Sequence, residues 1–110
     1  MPERDWQLYV EDIRIAASKI VAYANGLDLD GFVADERTYD AVLRNIEVIG
    51  EAASHVPEAV RDRFPQVPWR VLTATRNRLI HGYLTIDDDI LWNIVEVEIP
   101  ALLLALPGSD

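Results

Sequence analysis

Between Tyr39 and Ala53 the apolar or small residues Tyr39, Val42, Leu43, Ile46, Ile49, Gly50 and Ala53 recur every three or four positions without a break. That period is the signature of a helix with one buried face, because a strand would alternate its faces at every residue. The segment from about Asp35 to His55 is therefore read as a helix, and it must find partners to cover its apolar stripe. Gly50 and Ala53 are small where a neighbouring helix would press close.

The rest of the chain supplies partners of the same kind. Trp6, Tyr9, Ile13, Ala16, Ala17, Ile20 and Ala24 repeat at helical spacing, and Asn25-Gly26 closes that helix, since Gly26 can take the left-handed conformation. Asp28 to Gly31 read as a loop. Pro57 opens a short helix over about Glu58 to Phe64, which Pro65 ends. Pro68 opens another, with Trp69, Leu72, Thr73 and Arg76 at helical spacing, running to about Ile80 before Gly82. Asp87-Asp88-Asp89 read as the capped, acidic start of a last helix carrying Ile90, Leu91, Ile94, Val95, Glu98, Leu102 and Leu106. Pro100 predicts a kink or break in it. The expected fold is all-α, an up-and-down bundle of four to five helices in one domain spanning residues 1–110.

Composition narrows the chemistry. The 110 residues contain no cysteine, so disulfides, thiolate catalysis and cysteine-bound metal centres are excluded. The start, Met1-Pro2-Glu3-Arg4-Asp5, lacks the features of a signal peptide, and the longest apolar stretch, Ile99 to Leu106, is short of the ~20 residues of a spanning helix, so a cytoplasmic location without membrane attachment is expected. Ten basic against nineteen acidic residues give a formal charge of −9, which disfavours non-specific binding to duplex DNA or anionic membranes. One stretch departs from that average. Arg61, Arg63, Arg70, Arg76 and Arg78 fall within a run interrupted by a single acid, Asp62. Arginine's planar fork suits phosphate, so Arg70 and Arg78 are candidate RNA-binding residues, while Arg61 and Arg63 could equally pair with acidic helices.

The candidate chemistry lies in Arg76-Asn77-Arg78-Leu79-Ile80-His81-Gly82-Tyr83. Histidine titrates near neutrality, so His81 can take a proton from a ribose 2′-hydroxyl or give one to a leaving 5′-oxygen. Arg76 stays charged and can stabilise negative charge building on phosphorus. Asn77 can orient the imidazole or touch a phosphate oxygen, and Tyr83 can donate a hydrogen bond or stack on a base. Asn77 and His81 share a helix face, whereas Arg76 and His81, five apart, are about 140° apart on an ideal helix. They cooperate only if the helix ends before His81, or if a second subunit brings its copy across a two-fold axis. His81 could alternatively cap the helix C-terminus. His55 is read as a capping or surface residue. Trp69 and Trp92 read as core or interface anchors, and Trp6 as core or dimer contact. Glu47 and Glu51 share a face but lack further ligands, and Asp87 to Asp89 read as a helix start, so neither metal nor cofactor is expected.

Arg76, Asn77, His81 and Tyr83 resemble the R-x-x-x-x-H-x-Y motif of HepT-like proteins, a branch of the HEPN group of helical domains that act on nucleic acids. Two further blocks, Asp40 to Ala53 and Val67-Pro68-Trp69-Arg70, resemble recurrent blocks of the same family, and the likeness extends over roughly Leu8 to Leu106. The resemblance implies a homodimeric, metal-independent endoribonuclease that is the toxin of a two-gene toxin–antitoxin module. It implies Arg76 and His81 as catalytic residues with Asn77 supporting; Glu51 is read separately as a supporting residue that can pair with an arginine of the motif. The implied partner is a minimal nucleotidyltransferase that transfers AMP to Tyr83, placing phosphate beside the arginines. An alternative reading keeps the partner and the modification but gives the chain little nuclease activity, since its surface is so acidic.

Overall fold

A computed structural model describes residues 5–81 and 87–108, and for residues 76–81 the backbone only. Helix α1 runs Trp6–Ala24, α2 Leu29–Ala34, α3 Glu36–Ser54, α4 Glu58–Arg63, α5 Trp69–His81, α6 Asp88–Asn93 and α7 Ile99–Ala105, with a π-helical turn over Ile94–Glu98. The fold is an all-α helical bundle, and no strand occurs among the described residues. None of the described helices is long and apolar enough to cross a membrane.

Local chemistry accounts for the boundaries. The Asp5 carboxylate accepts from Gln7 N at the start of α1, and Gly26, with φ +81°, closes it in the left-handed conformation. Asp35 caps α3 by accepting from the Thr38 N–H and from the Thr38 hydroxyl. The backbone bond, then the hydroxyl, holds the Asp35 carboxyl below its ordinary range, so its contribution to stability is present at neutral pH and is lost as pH falls through that range.

Two expectations change. Asp28 to Gly31 is not a loop but the cap and first turn of α2: the Asp28 carboxylate accepts from Gly31 N at 2.8 Å. Leu27 before the cap and Phe32 in the second turn both pack into the core, which is what holds so short a helix. The predicted kink near Pro100 takes the form of the π-helical turn, in which Ile99 N donates to Ile94 O, five residues back. A proline cannot donate to the carbonyl four residues back and its ring crowds that carbonyl; the wide turn immediately before it absorbs the misfit, and Pro100 then sits in the first turn of α7.

The core is formed where α1 and α3 pack along one another, with α7 closing against α1. Ile13, Ala17, Ile20, Phe32, Val42, Ala53 and Leu91 are wholly buried. Fully burying each larger apolar side chain stabilises by about 1.5–3 kcal/mol. Helix α5 packs principally on α3, which makes it an edge helix of the bundle.

Tyr39 joins the start of α3 to α6. Its hydroxyl donates to Asp88 Oδ1 at 2.7 Å, and Phe32 lies between the rings of Tyr39 and Trp92, with centroids 5.1 and 5.2 Å away. Burial, then the bond to Asp88, pushes the phenol up to about 12. A raised value in the folded state means the stabilisation is whole below the ordinary tyrosine value of about 10 and disappears as pH rises towards 12. Tyr39→Phe should therefore cost about 1.5–3 kcal/mol at neutral pH, the range for hydrogen bonds to charged groups. The difference from wild type should shrink when urea unfolding is repeated above about pH 11.

Candidate active site

Helix α5 carries the candidate site, and apolar packing at its start sets its position. Trp69 is buried, with its indole N–H donating to the Phe64 carbonyl at 3.1 Å. Val67 is buried just before it, and Leu72 packs against the core. Val71, Leu72 and Thr75 face Ile46 and Ile49 of α3 and Ile99 and Leu102 of α7 across a shallow apolar seam.

From that anchor the helix continues through His81, so Arg76, Asn77, Arg78 and His81 all lie on helical backbone. The possibility that the helix ends before His81 is not what the structure adopts. In helical register Arg76 and His81 stand about 140° and about 7.5 Å apart along the axis, while Asn77 is one turn from His81. Tyr83 lies outside the described residues.

The arginine run divides into two classes. Arg61 is spent on the fold: its Nε donates to the Val56 carbonyl at 2.8 Å and its Nη2 to the Ser54 carbonyl at 3.3 Å, satisfying carbonyls at the end of α3. Arg63 lies over the rings of Phe64 and Trp6, at 5.4 and 5.9 Å. Trp6 itself is half-buried against the core and Phe64. Arg70, by contrast, is exposed on the first turn of α5. Arg61→Ala should destabilise the chain by about 1.5–3 kcal/mol. Urea unfolding of the variant beside wild type measures that loss.

Beside α5, helix α3 presents Arg44, Glu47, Glu51 and His55 along one face at spacings of three and four. Glu51 Oε1 lies 3.1 Å from His55 Nε2. The His55 ring also stacks on Tyr9 of α1, with centroids 5.1 Å apart and planes inclined by 18°. Arg44 and Glu47 approach to 4.0 Å. These residues line, with Asp12, Val48 and Ala52, an open groove of about 520 Å³ between α1 and α3. His55 does end α3, as a capping residue should, but the Tyr9 stack was invisible in sequence because the two are far apart in the chain; only the four-residue spacing of Glu51 and His55 signalled a pair. The expected pairing of Glu51 with an arginine of the motif involves side chains outside those described. Among the described residues no group of three or more His, Asp or Glu side chains is placed to hold a metal ion.

Comparison with known proteins adds a second line of observation. A profile of the family described as Ribonuclease HepT-like matches residues 13–107. The chain is 38% identical over 100 residues to "Putative RNase MJ0127" of Methanocaldococcus jannaschii, covering 91% of this chain and 83% of that protein. It is 35% identical over 100 residues to "Probable ribonuclease HepT" of Thermococcus cleftensis, covering 91% of each. No solved structure gives a significant match.

Proposed function

Because the chain belongs to the Ribonuclease HepT-like family, we propose that it is a metal-independent endoribonuclease whose site is built from Arg76 and His81, with Asn77 and Glu51 in support. The observation that carries this reading is that the matched region, residues 13–107, contains the whole Arg76 to Tyr83 motif. In the reaction the ribose 2′-oxygen bonds to the adjacent phosphorus as the bond from phosphorus to the 5′-oxygen breaks. The 2′-hydroxyl loses its proton to a base, and the departing 5′-oxygen gains one from an acid. One imidazole near neutrality can serve either role, and two copies can serve both. Arg76 offsets the charge that builds on the phosphoryl oxygens. Arg70 and Arg78 hold flanking phosphates.

The working unit in this reading is a homodimer. Its support is the register of α5, which separates Arg76 from His81 within one chain, together with the edge position of that helix. Val71 on that helix and Val97 on the π-helical turn are each more than half exposed, apolar surface of the kind a second copy would cover. The chain acts in the cytoplasm as the toxin of a two-gene module, and a minimal nucleotidyltransferase neutralises it by transferring AMP to Tyr83, placing a phosphate charge where substrate phosphate would bind.

Purified protein should cut single-stranded RNA in the presence of a chelator; an inert wild type would sink the nuclease reading. Co-expression with the nucleotidyltransferase should add one adenylate to Tyr83, visible by mass spectrometry. A second reading, that the chain is mainly a binding partner and AMP acceptor, draws on its charge of −9 and on the engagement of Arg61 and Arg63 within the fold. Modified Tyr83 together with an inert unmodified protein would favour it.

A further inference from the structure

Helix α5 holds an unmet hydrogen bond ahead of the motif. Thr73 Oγ1 is shut off from solvent and has no partner among the described residues. Leaving a buried hydroxyl unpaired costs stability, and native folds seldom leave one so. A threonine within a helix ordinarily relieves the cost by bonding to the carbonyl four residues back. Thr75 does this, donating to the Val71 carbonyl at 2.8 Å. Thr73 makes no such bond to Trp69, although both lie on the same helical backbone. Its position is nonetheless well fixed, because Trp69, one turn back, is buried and bonded through its indole to the Phe64 carbonyl.

Thr73, Asn77 and His81 follow one another at intervals of four along α5. Residues at that spacing are neighbours on a helix, each offset from the last by about 40°. The row leads from the buried hydroxyl, through an amide that offers both donor and acceptor, to the imidazole that serves as acid or base. Resting on the ribonuclease reading, we propose that Thr73 is a positioning residue for cleavage. With RNA bound, its hydroxyl accepts from the Asn77 side-chain amide, and the Asn77 carbonyl oxygen accepts from the ring of His81. That fixes the tautomer and leaves the second ring nitrogen for proton transfer. Hydrogen bonds of this kind commonly tighten only when substrate is present, which accounts for a hydroxyl left unpaired in the free chain.

Valine has the shape of threonine without the hydroxyl, so Thr73→Val separates this role from packing. In urea unfolding the variant should be as stable as wild type or more so, because an unpaired hydroxyl is removed and the shape is kept. Its kcat on single-stranded RNA should fall about two- to tenfold, the worth of one neutral hydrogen bond, with KM nearly unchanged. Thr73→Ser, which keeps the hydroxyl, should stay within about twofold of wild type. A 2′-O-methyl RNA, which lacks the hydroxyl needed for reaction, reads the bond apart from cleavage. The side-chain amide signals of Asn77, identified in NMR spectra by their loss in Asn77→Ala, should shift when it is added to wild type or Thr73→Ser, and much less with Thr73→Val. A lower urea midpoint for Thr73→Val would show a hydroxyl bonded within the fold and overturns the proposal. An unchanged kcat for Thr73→Val, or a Thr73→Ser that loses as much, overturns it as well. So do equal amide responses in wild type and Thr73→Val, or none in either. If wild type cuts no RNA, the nuclease reading falls, while the amide titration still decides whether Thr73 holds Asn77.

Discussion

His81→Ala should lower RNA cleavage by about 10²–10⁴-fold, the range by which a positioned general acid or base accelerates proton transfer, while far-UV circular dichroism stays helical. Arg76→Ala should cost a similar factor, because no other group of fixed positive charge in the motif stands at that register. Arg76→Lys should recover little of it, since an ammonium cannot reproduce a forked contact to two phosphoryl oxygens. The register of α5 makes a sharper prediction. In helical register Arg76 and His81 are about 140° apart, so the proposed site, if it uses both, would draw them from two copies of the chain. Mixing inactive Arg76→Ala protein with inactive His81→Ala protein, under conditions that exchange subunits, should then restore activity. If each dimer has two such sites, statistical pairing restores about one quarter of the wild-type rate, because half the dimers are mixed and each keeps one intact site. No recovery after confirmed exchange would place both residues in the same chain's site and remove the register argument for the dimer.

Phe32→Ala should destabilise the protein by about 3–5 kcal/mol, the usual cost of emptying a buried aromatic site. Phe32 is fully buried, sits in α2 and contacts both Tyr39 at the start of α3 and Trp92 in α6. Its removal leaves a cavity among three elements and takes away the side chain that secures α2, a helix of six residues that has little stability of its own. Against a total of about 5–15 kcal/mol for a domain, such a loss leaves little margin. The melting temperature should fall by roughly 12 °C or more at about 4 °C or more per kcal/mol. Phe32→Leu should recover much of the loss by refilling volume. A loss below about 1 kcal/mol for Phe32→Ala would show that α2 is dispensable to the core.

The α3 stripe, the Gly26 stop, the capping carboxylate Asp87 and the proline-bounded helices were all legible, because each is a local relation among residues within a few positions. The family, too, was legible from the motif and the two blocks around it. Helix α2 was missed because an acid-and-glycine string has the composition of a loop; its stability comes from Phe32, whose partners Tyr39 and Trp92 lie further along the chain. The form of the break before Pro100 was likewise open, since a missing donor predicts an irregularity without saying which hydrogen bonds replace the lost one.

Arg61 shows the same boundary within the candidate site. In sequence Arg61 was open equally to phosphate or to an acidic helix; in the fold its guanidinium bonds instead to the backbone carbonyls of Val56 and Ser54 at the end of α3. His55 moved the other way, from an isolated capping residue to one wall of a groove, because folding brought Tyr9 to its ring. Periodicity and capping record how each segment meets water and its own backbone, so the sequence by itself determined that this chain is a set of amphipathic helices with a histidine–arginine motif on one of them. Which helix lies at the edge, which arginines are consumed by the fold and which side chains meet across a groove depend on contacts between residues far apart in the chain, and only tertiary packing decides those.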